Sequence, residues 1–192
     1  MKSLASIVGL ALAAAGPALS QPRSAGDPTA LPPGPASVVA SADECTVWRR
    51  ERSFSRSVEA HDAASFAAHL HAGAIFNAGT ADAERGRGAI LESWAGIVEG
   101  KTLVLRWRPG VVNIGGEPSI AVSRGPYILQ TTREGVPAFS VGLYQTVWSR
   151  AAADSSWRVL FDGGASTPKP VADRAEAEQW VAAQPMANCP AQ

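Results

Sequence analysis

The chain has 192 residues, of which 46% are hydrophobic and 18% charged, and its 17 basic side chains balance 17 acidic ones. This length and composition are typical of one ordinary globular domain with short extensions. A formal net charge of zero provides no positive field of the size that nucleic-acid binding requires. No nucleic-acid partner is therefore expected.

The first twenty residues have the pattern of a secretory signal. Lys2 precedes an apolar run over residues 4–15, and Ala18 and Ser20 place small residues at the minus-three and minus-one positions of a cleavage site. The run is too short to span a bilayer, and no later segment reaches about 18 uninterrupted apolar residues. We therefore expect residues 1–20 to be removed, and the mature protein to be secreted or periplasmic with no membrane partner.

The two ends of the mature chain carry its cysteines. Residues 21–40 are rich in proline and glycine, which predicts a flexible leader before a domain over residues 41–165. Residues 166–192 form a tail with a predicted terminal helix. Cys45 and Cys189 are the only cysteines, and in an exported protein they favour a single disulfide, although two unpaired thiols remain an alternative.

Three amphipathic helices are predicted first. Ser41 and Glu44 have the spacing of a capping box, so the first helix begins there and runs to about His61. Its buried face recurs at helical spacings: Val47, Glu51, Phe54 and Val58. Asp62 can cap a second helix, which is followed by a short strand over residues 74–76. The third helix ends near Gly100 and presents one apolar face: Ile90, Trp94, Ile97 and Val98.

After Thr102 the hydrophobic period changes from 3.6 to 2, which indicates strands. Glu134-Gly135 and residues 154–156 have turn residues where hairpins need them. Pro126 is expected only at a sheet edge or a bulge. Helices followed by long antiparallel strands predict an α+β domain, in which one curved antiparallel sheet wraps around three N-terminal helices.

Three segments of the chain resemble the ketosteroid-isomerase-like or nuclear transport factor 2-like superfamily. They are residues 58–76 (VEAHDAASFAAHLHAGAIF), 86–94 (GRGAILESW) and 142–164 (GLYQTVWSRAAADSSWRVLFDGG). The likeness is greatest to its SnoaL-like and domain-of-unknown-function 4440 branch. The resemblance implies a cone-shaped sheet with a pocket at its open end, and often a homodimer. The branch contains enzymes as well as binding and assembly modules, so the fold alone does not decide the function.

Glu51 is the first candidate catalytic residue, because a carboxylate interrupts an apolar helix face. It either lines a pocket as an acceptor or base, or pairs with an arginine such as Arg106, Arg108 or Arg124. The arginines themselves are expected to pair with acidic neighbours such as Glu117.

Asp162 is the second candidate, at the end of the last strand beside two glycines. Strict alternation puts Arg158 and Asp162 on one face, and Trp157, Val159 and Phe161 on the opposite, core face. Asp162 would then reach a pocket only through a bulge at the glycines.

Tyr144 is the third candidate, because a phenol beside a pocket can donate a hydrogen bond to a developing oxyanion. It can equally be a simple wall residue. A further set of apolar residues, mostly aromatic, is predicted to line a ligand cavity, with ordinary core packing as the alternative: Phe76, Trp94, Leu105, Trp107 and Phe139.

No cofactor or metal is expected. His69 and His71 are two residues apart, but no third ligand lies at a supportive spacing. His61 is interpreted as a surface residue in the loop between the first two helices.

Three functions remain open from the sequence. The first is binding of a small apolar or amphipathic molecule in the pocket. The second is an isomerase, cyclase or dehydratase that uses Glu51 or Asp162 with Tyr144. The third is a dimerisation or assembly module.

Overall fold

The structure is a computed structural model that describes residues 37–115, 119–151 and 156–189. The predicted signal over residues 1–20 and most of the predicted leader lie outside the described residues. Among the helices of the described ranges, none is long and apolar enough to cross a membrane.

The three predicted helices are present as α1 Ala42–Glu59, α2 Ala63–His69 and α3 Arg87–Val98. The capping box is confirmed, since the Glu44 amide donates to the Ser41 side chain and the Ser41 amide donates to the Glu44 carboxylate. The Asp62 cap is also confirmed, because its carboxylate accepts from the Ser65 amide at 2.9 Å. Gly100 ends the third helical segment with φ +69°, which glycine adopts without strain.

Within the described ranges, eight strands form the main sheet: β2 Leu70–Phe76, β3 Glu84–Arg85, β4 Val104–Trp107, β5 Val111–Ile114, β6 Ile120–Arg133, β7 Val136–Ser149, β8 Arg158–Gly164 and β9 Lys169–Val171. Their order is β3-β2-β8-β7-β6-β4, with β5 also paired to β6 and β9 also paired to β7. A separate two-stranded sheet pairs β1 Ser37–Val38 with β10 Met186–Ala187. β2 begins earlier than the three-residue strand that the sequence predicts, since Leu70 already pairs with Val159.

Strands β6 and β7, each of 14 residues, form a hairpin that supplies the curved wall of the sheet. Glu134 and Gly135 both have positive φ at its turn, as the hairpin prediction requires. Pro126 lies inside β6 opposite a bulge, the second of its two predicted positions, because residues 108–110 face only Gly125 and Pro126 between the β4 and β5 pairings. It is tolerated because the partner of β6 changes there from β5 to β4, with Arg108 and Gly110 as the last bonded neighbours on either side.

The core lies between α1, α2, α3 and the inner face of the sheet. Its largest side chains are aromatic or aliphatic and fully buried: Phe54, Phe66, Leu70, Phe76, Ile90 and Trp148. Phe54 contacts Phe66, Trp107 and Trp148, so one α1 ring joins α2 to two strands. This packing fixes the three helices against the inner face of the sheet.

The predicted terminal helix of the tail is α4 Arg174–Ala182, and the Asp173 side chain caps it by accepting from the Glu176 amide. Arg108 donates to the Val181 carbonyl at 2.6 Å and to the Gln184 carbonyl at 3.1 Å. The expected pairing of Arg108 with an acidic side chain is therefore wrong. The carbonyls at the end of a helix are an equally good partner for a guanidinium, because they carry partial negative charge.

Cys45 of α1 and Cys189 are joined in a disulfide, which confirms the predicted pairing. The bond closes a loop with a sequence separation of 144 residues. A cross-link of this kind stabilises the native state chiefly by restricting the unfolded chain.

Replacing both cysteines with alanine should lower the free energy of unfolding by about 2–5 kcal/mol, because the unfolded chain regains the entropy of an open loop. Urea unfolding of the oxidised protein and the double variant measures the difference. Wild-type protein unfolded in excess reductant is the matched control and should resemble the variant. Equal stability of all three samples would contradict the prediction.

Candidate functional site

A β-bulge in β8 turns Asp162 toward the interior. Val159 pairs with Trp148 and Phe161 with Val147, so β8 advances two residues where β7 advances one. Leu160 is the extra residue, and after it the alternation of faces is reversed. Asp162 then pairs with Thr146 and shares its inward face.

The bulge corrects two expectations from strict alternation. Trp157 and Val159 are buried as predicted, but Phe161 is 37% exposed and points away from the core. The bulge also lies at Leu160 rather than at Gly163-Gly164, where the sequence suggested it.

Asp162 accepts a hydrogen bond at one of its two carboxylate oxygens. Thr146 donates its hydroxyl to Oδ2 at 2.6 Å. Within the described part of the chain, Oδ1 accepts no hydrogen bond. Burial raises the pKa of Asp162 to about 6, and the hydrogen bond from Thr146 partly opposes that shift. A ligand with a hydrogen-bond donor could therefore use Oδ1.

Glu51 is fully buried between two indoles. Trp107 Nε1 donates to Oε1 at 2.8 Å, and Trp148 Nε1 donates to Oε2 at 2.7 Å. Burial first, and then the charge of Asp162, raise the pKa of Glu51 to about 7. Glu51 thus has neither of its predicted environments, because its partners are tryptophans rather than arginines and it does not border the cavity.

The ring of Tyr144 borders the cavity, but its hydroxyl is already engaged. The hydroxyl lies 3.3 Å from the Ser123 hydroxyl and donates to the Arg108 carbonyl at 3.4 Å. Burial, followed by the charge of Glu51, raises the pKa of Tyr144 well above its ordinary value. The phenol therefore stays protonated and is directed toward protein partners.

A cavity of about 210 Å³ lies in front of these groups. Its walls are five aromatic and four aliphatic side chains, with Asn77, Asp162 and two glycines at one end. The aromatic and aliphatic residues are Phe54, Trp94, Trp107, Tyr127, Tyr144, Ile97, Leu103, Leu105 and Leu129. Of the three candidate catalytic groups, only the Asp162 carboxylate presents an unengaged polar atom there.

Of the five residues predicted to bind a ligand, three border the cavity and two do not. Trp94, Leu105 and Trp107 border the cavity. Phe76 instead lies behind the wall, with its ring perpendicular to Trp94 at 5.1 Å. Phe139 faces the tail, where the Arg174 guanidinium lies 5.7 Å from its ring, because its position in β7 is opposite in parity to that of Tyr144.

Tyr127 and Leu129 were not predicted to border the cavity. Both lie on the inward face of β6, opposite Gly142 and Ser140 of β7. The period-2 pattern of β6 contains this information, but the sequence does not say which face is concave. Gly142 leaves the space that the Tyr127 ring occupies, since a Cβ there would meet the ring of Tyr127.

None of the three histidines borders the cavity. His69 is buried, and its Nδ1 donates to the Ser65 carbonyl at 2.6 Å while Nε2 lies 3.1 Å from the Ser53 hydroxyl. Burial lowers the pKa of His69 to about 4, so it is neutral and structural at physiological pH. Within the described residues, no group of three or more histidine, cysteine, aspartate or glutamate side chains could hold a metal ion.

The contribution of Glu51 to stability should fall as the pH rises from about 4.5 to about 7, because the native state keeps the Glu51 proton that the unfolded chain releases. The expected loss is on the order of 3 kcal/mol. His69 opposes this loss up to about pH 6.5, because burial lowers the pKa of His69 to about 4 and the unfolded chain then holds the extra proton. The stability difference between the wild type and Glu51→Gln should therefore show the full loss, since the His69 and Asp162 contributions are common to both proteins. Urea unfolding at half-unit pH intervals measures both profiles.

Glu92→Gln, on the exposed side of α3, is the matched control and should keep the wild-type profile. Wild-type and Glu51→Gln profiles that stay parallel from about pH 4.5 to about 7 would contradict the prediction.

No protein-family model and no curated protein matches the chain. Solved structures match at low identity. A ketosteroid isomerase-like protein from Erwinia carotovora atroseptica has a TM-score of 0.53 at 14% identity, over 66% of this chain and 100% of its own. A nuclear transport factor 2-like superfamily protein from Salmonella enterica serovar Typhimurium has a TM-score of 0.50 at 19% identity, over 69% and 93%.

An NTF2-like protein of unknown function from Pseudomonas putida also has a TM-score of 0.50, at 14% identity over 68% of this chain and 90% of its own. At these identities the likeness concerns the fold and not the activity. It confirms the α+β prediction and the fold that the sequence resemblance implied. The chain has the nuclear transport factor 2-like fold, a curved sheet around three helices.

Proposed function

We propose that this protein binds a small, largely apolar molecule in the cavity between its helices and the curved sheet. The observation that carries the proposal is the composition of the cavity wall, where nine aromatic or aliphatic side chains surround one unengaged carboxylate oxygen. Ligand sites commonly combine an apolar lining with a few polar groups that orient the ligand.

The volume of the cavity limits the ligand. An apolar cavity of roughly 150 Å³ can hold a benzene molecule. At about 210 Å³, this cavity has room for one ring with a short substituent. A four-ring steroid would exceed this volume and would have to extend out of the open end of the cavity. The ligand class is therefore a single-ring or similarly small molecule.

Binding is favoured over catalysis by the state of the polar groups. Both oxygens of Glu51 accept indole N–H groups, and the Tyr144 hydroxyl is engaged by Ser123 and the Arg108 carbonyl. An isomerase-type mechanism needs a base together with a donor that faces it across the substrate. Here Asp162 is the candidate base with an unengaged oxygen, whereas the predicted donor, Tyr144, is engaged by protein partners.

A second candidate is proton transfer by Asp162 to or from a bound carbonyl compound. Its support is the unengaged Oδ1 and the burial that raises the pKa of Asp162 to about 6, near the working range of a general base. In such a reaction Asp162 would take a proton from the carbon next to the carbonyl and return it. The missing oxyanion donor would have to come from the ligand-bound arrangement of Tyr144 or Asn77.

The assembly hypothesis has less support, since the cavity is open rather than filled by side chains. A homodimer remains a prediction, which sedimentation velocity over a range of concentrations would test. Export likewise remains a proposal, supported by the disulfide, because disulfides persist mainly in oxidising compartments.

Leu105→Phe should reduce the affinity for a small aromatic probe such as ethylbenzene at least tenfold, because the larger side chain fills cavity space. Quenching of tryptophan fluorescence measures binding, since Trp94 and Trp107 border the cavity. Arg106→Gln changes the next residue of β4, on the opposite face, and should leave the affinity unchanged. Equal loss in both variants would contradict binding in this cavity.

If Asp162 transfers protons, the protein should accelerate deuterium exchange at the carbon next to the carbonyl of a small ketone such as cyclohexanone in heavy water. Asp162→Asn should abolish that acceleration, and nuclear magnetic resonance measures the rate. No acceleration by the wild-type protein, at ketone concentrations that saturate the cavity, would exclude this candidate for the ketone class.

A further inference from the structure

We propose that the cavity selects cations, and that its ligand is a small protonated amine attached to an apolar or aromatic body, with the ammonium group on Asp162. This inference rests on the proposed binding function and specifies the ligand class. It is carried by the charges around the cavity and by the arrangement of its rings.

The charges around the cavity have one sign. Among the described residues that border it, Asp162 is the acid, and none is lysine, arginine or histidine. Glu51 lies directly behind Trp107, so a second carboxyl contributes negative potential when ionised. Arg108, which follows Trp107 in the chain, is directed to the carbonyls at the end of α4. An anionic ligand would therefore be repelled.

Asp162 itself lacks a compensating charge. A buried carboxylate is costly unless it is paired and hydrogen-bonded, and here one hydroxyl satisfies one of its two oxygens. An ammonium group would supply both missing parts, a positive charge and an N–H donor for Oδ1. Charge-assisted hydrogen bonds of this kind are stronger than neutral ones.

The aromatic rings form walls at large angles to one another. Trp107 is inclined by 74° to Phe54 and by 66° to Tyr144, with ring centroids 5.2 and 6.4 Å apart. Ring faces carry negative electrostatic potential and attract cations, most strongly for tryptophan. The Trp107 indole also donates its N–H to Glu51, and such a bond shifts electron density toward the ring. The walls and Asp162 thus favour the same charge.

Three probes of nearly equal size separate charge from shape. Benzylamine is protonated at pH 7.5, benzyl alcohol is a neutral donor, and ethylbenzene is a neutral isostere without a donor. Titration calorimetry measures the affinity of each probe for the wild-type protein and for Asp162→Asn. Asparagine keeps the size of the side chain and one oxygen acceptor but removes the charge.

Asp162→Asn should weaken benzylamine binding at least tenfold and change ethylbenzene binding less than twofold, with benzyl alcohol between them. Ethylbenzene binding to the wild type without benzylamine binding, or equal losses for the two probes, would overturn cation selection and leave the proposed function standing. If none of the three probes binds, the proposed function fails as well.

The pH dependence of binding to the wild-type protein provides a second test, which does not require Asp162→Asn to fold. Benzylamine affinity for the wild type should fall at least tenfold from pH 7.5 to 5, because Asp162 is protonated at the lower pH, whereas ethylbenzene affinity should stay constant. The titratable groups around Asp162 are Glu51 of α1 and Tyr144 of β7, and protonation of Glu51 acts in the same direction. Arg124 of β6 lines a neighbouring pocket together with Asp162, and its charge does not change between pH 5 and 7.5. A flat benzylamine profile would overturn the inference.

Discussion

The cavity depends on one buried contact, the carboxyl group of Glu51 between the indoles of Trp107 and Trp148. The two hydrogen bonds join α1 to β4 on one side and to β7 on the other. Ser55, one turn along α1, adds a bond to the Trp107 carbonyl at 2.5 Å. The helix is thereby held against two strands that are not neighbours in the sheet, because β6 lies between them. This arrangement keeps Trp107 in the cavity wall.

Burying a carboxyl group in this place is costly, and its satisfied oxygens explain why the cost is tolerable. An apolar side chain at position 51 would leave two indole N–H groups without acceptors in the core. The acid therefore determines which way the rings face, rather than taking part in ligand contacts itself. Trp107 consequently presents ring surface to the cavity while its polar edge is directed to the protein.

Much of the fold was predictable from local signals, since capping residues and hydrophobic periods depend on the chain within a few residues. Ser41, Asp62 and Asp173 each begin a helix as their side chains indicate. The direction of Asp162 was not predictable in the same way. It depends on an extra residue at Leu160, and a bulge is a property of the pairing between two strands rather than of one strand's sequence. The direction of Phe139 was not predictable either, because the β7 sequence does not say which of its two faces borders the cavity.

Gly142 has a consequence for how this cavity can vary. Because the Tyr127 ring occupies the space above it, the position of that ring depends on a residue that has no side chain of its own. Any larger residue at this site would displace the tyrosine without altering the identity of a single wall residue. A substitution at Gly142 of β7 can thus change the dimensions of the cavity. A comparison of the residues that border the cavity would not detect this change.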